Sequence, residues 1–165
     1  MAKAYFSTVF EQTAYEVWGI VRDFGNDYWW THEPVKTVVE DGKSGYEIGA
    51  IRHVRGAGFD FRQRLVAISV TDRFFTYEFA EQEPDRPQNM QVTIRVTPII
   101  DGDRAFVEWF ATFDSSPTES SRWSTYFEKA FADWLGPLRD ILQQQQPGSN
   151  EMGKPEQAQG LGRVV

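Results

Sequence analysis

The stretch SRWSTYFEKAFADWLGPLRDILQ, residues 121–143, places bulky apolar side chains at Trp123, Phe127, Phe131, Trp134, Leu135, Leu138 and Leu142. Steps of three and four put them along one side of a helix of roughly six turns. Gly136-Pro137 interrupts the run, and the missing proline donor predicts a kink there. Upstream lie several period-two segments and no second long helix. One thick helix facing a long antiparallel meander defines an α+β domain in which a curved sheet closes around that helix. A single helix cannot fill such a sheet, and the space left over is a cavity. Function is therefore to be sought inside the fold.

The first strand is expected over residues 4–11, rich in Phe, Tyr, Val and Thr. Thr13 and Glu16 have capping-box spacing, so a short helix follows through Val17, Trp18, Ile20 and Val21 and stops near Gly25. A second short helical or irregular turn is expected around Tyr28, Trp29 and Trp30, before Pro34. Six more strands follow: residues 35–40, 48–54, 59–70, then segments centred on Tyr77, Ile94 and Trp109. Asp41-Gly42, Gly56-Ala57-Gly58 and Asp101-Gly102 mark turns. Alternation assigns Phe59, Phe61, Gln63, Leu65 and Ala67 to the inner face, with Phe75, Tyr77 and Phe79, with Val92, Ile94 and Val96, and with Val107, Trp109, Ala111 and Phe113. Residues 144–165 are polar, rich in Gly and Pro, and without period. They read as a disordered, dispensable tail beyond a domain of residues 1–143.

At 165 residues the chain suits one core. Its aromatic content of 15% is high, consistent with dense packing and equally with an aromatic-lined cavity. A net charge of −7 argues against a broad phosphate-binding surface, so nucleic acid is not an expected partner. The absence of cysteine removes disulfides, thiolate metal sites and a cysteine nucleophile. No signal-peptide pattern or membrane-spanning run is found, and a cytoplasmic monomer or homodimer is expected.

Val17-Trp18-Gly19-Ile20-Val21-Arg22-Asp23-Phe24, then Trp30, Ile48-Gly49-Ala50-Ile51-Arg52, Gln63-Arg64-Leu65 and Tyr77 follow one another in the order and spacing of a START-like domain. Over residues 3–142 the chain resembles the bacterial polyketide cyclase/dehydrase and lipid-transport group, relatives of the birch-pollen allergen and the plant abscisic-acid receptors. The resemblance implies the helix-grip fold: a seven-stranded curved antiparallel sheet around a long C-terminal helix, with two short helices after the first strand. It also implies that Arg52, Gln63, Tyr77, Phe79, Met90, Val92, Trp109 and Phe127 line the cavity, in agreement with the alternation. Two departures bear on function. Gln63 stands where relatives often carry Glu. Thr31 follows Trp30 where the hormone receptors place a carboxylate-binding Lys, and their long gating loop is absent. Hormone reception is therefore not expected.

Within that frame the chemistry narrows to a few side chains. Arg52 has the parity of Ala50 and Val54. An inward guanidinium is either paired structurally or hydrogen-bonds a ligand carbonyl or enolate. Gln63 and Tyr77 either satisfy each other or orient a ligand oxygen. Trp29, Trp30 and Trp109 could stack on an aromatic or polyene ligand, with Phe61, Phe127 and Phe131 completing an apolar wall. His32 sits at the expected entrance, as a proton shuttle or a surface residue, and His53 belongs to the outer face. The two histidines have no metal spacing, no phosphate loop precedes a helix, and no nucleophilic triad is readable. Neither a metal nor a cofactor is expected. Two function classes remain open: a cofactor-independent cyclase, aromatase or dehydratase that uses Arg52, Gln63 and Tyr77, and a carrier or sensor that only sequesters a small hydrophobic ligand, aromatic or polyketide-like.

Overall fold

The computed structural model describes residues 1–146. The chain begins with strand β1 (Ala2–Phe10), and Thr13 then caps helix α1 (Ala14–Val21). The cap is reciprocal: the Thr13 hydroxyl accepts from the Glu16 amide at 3.2 Å, while Glu16 Oε2 accepts from the Thr13 amide at 2.8 Å. Strands β2 (Lys36–Val39), β3 (Ile51–Gly56), β4 (Phe59–Ser69), β5 (Phe74–Phe79), β6 (Gln88–Ile99) and β7 (Arg104–Asp114) follow. They form one antiparallel sheet in the order β1-β7-β6-β5-β4-β3-β2, so each hairpin partner is its sequence neighbour except at β1, which closes onto β7. Helix α2 (Ser120–Trp134) and helix α3 (Gly136–Gln144) complete the domain. This is the expected helix-grip α+β architecture.

The break between α2 and α3 falls at Leu135, just before Pro137. Proline cannot return a hydrogen bond to the turn before it, so the ladder lapses there. Hydrogen bonds then fasten both helices to β1. Ser124 Oγ donates to the Lys3 carbonyl at 2.7 Å, and Arg139 donates to the Val9 carbonyl at 3.2 Å while its guanidinium lies 4.2 Å from the Phe10 ring centre. Phe131, Leu135, Leu138 and Leu142 are buried, as the helical period requires.

Three details differ from the sequence reading. The second short helix takes the form of successive turns. Local bonds such as the Tyr28 amide to Asn26 Oδ1 at 3.3 Å and the Glu33 amide to Thr31 Oγ1 at 3.0 Å compete with helix formation, and Pro34 forbids its continuation. The third strand begins at Ile51, not at residue 48. Gly49 adopts φ +86°, and Ile48 is exposed. A bulge between Leu65 and Ala67 then shifts the register of β4, so Ile68 rather than Ala67 joins the core opposite Phe75. The tail expected over 144–165 lies, from residue 147 onward, outside the described residues.

Ion pairs cover the outer face of β2–β5. Glu40 accepts from Arg62 Nε at 2.8 Å and from Nη2 at 2.6 Å, and Arg62 Nη1 reaches Glu81 at 2.7 Å. The hydrogen bond from Arg62 holds the Glu40 carboxyl below its usual range. A carboxyl with a depressed folded pKa contributes stability above its unfolded pKa, and that contribution is lost as pH falls through the depressed value. Glu40→Gln should therefore lower the melting temperature at neutral pH, and the gap from wild type should close on acidification. A gap that persists undiminished once the pH has fallen below that depressed value would assign the effect to packing instead.

Candidate functional site

Between the concave sheet and α2 lies a cavity of about 370 Å3, within the range of small-molecule sites. Its apolar wall is an aromatic network. Trp30 lies 5.7 Å from Phe59, 6.3 Å from Phe61 and 6.2 Å from Trp134, and Phe61 packs edge-on against Phe79 at 6.1 Å. Opposite them, Trp109 stacks on Phe131 at 5.2 Å and 12° and meets Trp29 at 5.4 Å. The indole N–H groups of Trp18, Trp29, Trp30 and Trp109 are buried and have no acceptor among the described residues. The mouth is polar: Asp60, Glu81, Gln82, Glu83 and Arg86 rim it beside Tyr126. Each of the three rim carboxylates has a partner: Asp60 bonds His53 at 2.7 Å, Glu81 bonds Arg62, and Glu83 bonds Arg86 at 2.7 Å.

The polar centre is Arg52, only 4% exposed. Its Nε and Nη2 both donate to Gln63 Oε1, at 2.8 and 2.6 Å, and Nη1 donates to the Phe24 carbonyl at 2.9 Å. The register makes this possible, because Arg52 on β3 is the direct cross-strand partner of Gln63 on β4. The guanidinium lies over the Phe24 ring at 4.2 Å and near Tyr77 at 5.2 Å. Both of its hydrogen-bonding partners are neutral. Burial accordingly lowers the Arg52 pKa to about 10, so the group remains charged at neutral pH. Burial likewise raises the Tyr77 pKa, against the opposing charge of Arg52, and keeps the phenol protonated. Three of the five guanidinium N–H groups are engaged, which leaves one on each terminal nitrogen for a ligand.

The sequence-predicted residues divide cleanly. Arg52, Gln63, Tyr77, Trp30, Phe61, Phe79, Met90, Trp109 and Phe127 all belong to the cavity wall. Val92 and Phe131 face inward but lie in the packed core, outside the lining, and Phe131 stacks beneath Trp109. His32 is not at the cavity. It is exposed and bonds Asp140 on α3 at 3.0 Å, which ties the turn to the C-terminal helix. His53 lies on the outer face, as expected, where it bonds Asp60 and Arg55. Sequence reasoning missed the Phe24 carbonyl and the rim loop between β5 and β6. A backbone acceptor leaves no side-chain signature, and the rim has no period. Phe59, assigned to the inner face by its parity with Phe61 but not named among the lining residues, also belongs to the wall. Among the described residues no group of three or more His, Cys, Asp or Glu could hold a metal, and no helix is long and apolar enough to cross a membrane.

Residues 1–143 match the family described as "Polyketide cyclase / dehydrase and lipid transport", and the chain belongs to that family. Its fold is similar to that of a Thermobifida fusca protein solved in solution, at 25% identity and TM-score 0.73 over 88% of this chain and 96% of that one. A Nitrosospira multiformis protein matches at 24% identity and TM-score 0.67, over 86% and 99%. The di-domain ARO/CYC BexL from the BE-7585A biosynthetic pathway matches at 14% identity and TM-score 0.70, over 87% of this chain and 47% of BexL. No curated protein matches the chain.

Proposed function

We propose that this protein binds a small, largely apolar, polyketide-like molecule in the cavity and catalyses its cyclisation with loss of water. The observation that carries this reading is a charged guanidinium in the wall of an aromatic cavity with N–H groups left over for a ligand. In an aldol closure an enolate carbon attacks a ketone carbonyl, a C–C bond forms, and negative charge passes to the carbonyl oxygen. Arg52 is placed to stabilise that oxygen, and the protonated Tyr77 phenol is a second donor. Gln63 acts through Arg52 by fixing its plane. The aromatic wall folds the chain so that the reacting carbons meet, which supplies much of the acceleration without a strong base. Water takes the α-proton that gives the enolate and returns one to the alkoxide, and loss of a second α-proton then forms a C=C bond and expels the β-hydroxyl as water.

The family and the BexL fold support this reading, and a test is direct. A linear poly-β-keto thioester should give one dominant cyclised product, lighter by one water per ring closed, faster than it cyclises alone. The same product mixture at the same rate with and without protein would overturn catalysis. Then the carrier reading would stand, favoured by one observation: apart from the rim and Tyr126 beside it, Arg52 and Tyr77 are the only ionisable side chains of the wall among the described residues.

A further inference from the structure

The polar side chains gathered inside the cavity offer donors and almost no acceptor. Gln63 spends its carbonyl oxygen on Arg52, so its amide nitrogen, a donor, is what remains for a ligand. Arg52 retains two N–H groups, and the Tyr77 phenol, neighbour to the Trp109 indole, keeps an O–H to donate. The buried indoles of Trp29, Trp30 and Trp109 add further donors in the same wall. No hydrogen-bonding partner of Arg52 is charged, and Asp27 acts on the guanidinium only through space, so the buried cation has no bonded counter-ion and is costly until an anion reaches it. The anion is not supplied by the rim, because its carboxylates are already bonded to His53, Arg62 and Arg86.

We infer that the cavity selects an anionic oxygen, a carboxylate or an enolate, on an otherwise apolar ligand, and that Gln63 sets this preference by leaving Arg52 without a bonded counter-ion. The inference rests on the cavity reading of the proposed function and names the charge of what the cavity takes. Gln63 is a specificity-determining residue: it touches Arg52 directly, and a carboxylate in its place would close the fork on Nε and Nη2 and neutralise the site. The amide therefore does two things at once. It holds the guanidinium plane, and it withholds the charge that would make the pocket indifferent to anions.

The test uses 2-naphthoate and its neutral isostere 2-naphthamide, titrated by calorimetry against wild type and Gln63→Glu. Wild type should bind the carboxylate at least roughly tenfold more tightly than the amide, which corresponds to one pKa unit of differential interaction. Gln63→Glu should abolish that preference while melting no lower than wild type. For the enolate arm, 4-nitrophenol reports its own ionisation by absorbance. Because the anion binds better, its apparent pKa should fall by about one unit or more when bound to wild type, and should not fall with Gln63→Glu. Equal affinities of wild type for naphthoate and naphthamide would overturn charge selection and leave the cavity reading standing. A preference that survives in Gln63→Glu would overturn the role of Gln63. Failure of wild type to bind either naphthyl probe would overturn both.

Discussion

Phe131→Ala should destabilise the domain by about 3–5 kcal/mol, the cost of removing a buried Phe from a core that cannot collapse around the void. Phe131 is 1% exposed and stacks on Trp109, with Phe127 at 6.1 Å and Trp134 at 6.0 Å around it. These rings join α2 to β7, and a gap there leaves several flat surfaces without partners at once. For a domain of this size such a loss lowers the melting temperature by roughly 6–20 °C. Phe131 lies outside the cavity lining, so residual folded protein should keep most of its affinity for an apolar ligand. A melting temperature unchanged by the substitution would show that the stack is peripheral to stability.

Arg52→Met should lower the rate of cyclisation about a hundredfold, the scale of one lost oxyanion donor. Methionine keeps much of the apolar stem and removes the charge. The protein should remain folded, because Gln63 and the Phe24 carbonyl lose a donor but no buried charge is stranded by the change. Turnover should fall more than ground-state affinity for a neutral ligand, since the guanidinium acts on charge that develops in the transition state. Melting curves separate this from partial unfolding. Folded Arg52→Met protein turning over at the wild-type rate would remove Arg52 from the mechanism.

Much of the site was legible because strand alternation reports which way a side chain faces. Gln63, Tyr77 and Trp109 were placed inside on parity alone, and they line the cavity. Alternation does not report what stands in front of an inward residue. Val92 and Phe131 point inward as expected, yet other side chains intervene before the cavity. Parity also fails across an irregularity, and the bulge after Leu65 gave the position of Ala67 to Ile68. His32 illustrates a different limit: its orientation is set by Asp140, more than a hundred residues away in sequence, and no local pattern encodes such a partner. The acceptor at Phe24 was hidden for a third reason, since every residue carries a carbonyl and only the turn aims it at Arg52.

The closure of β1 onto β7 has a consequence for the order in which the chain can fold. Ala2 pairs with Phe113 and Phe10 with Ala105, so of the strands of this sheet the one that leaves the ribosome first pairs with the one that leaves last. Hairpins β3–β4, β4–β5, β5–β6 and β6–β7 can each form locally as they emerge, whereas β1 must wait for β7 and for the helices that clasp it through Ser124 and Arg139. During synthesis the segment from Ala2 to Phe10 is therefore an unpaired edge carrying Tyr5, Phe6, Val9 and Phe10. Until β7 arrives, that edge needs shielding on the ribosome.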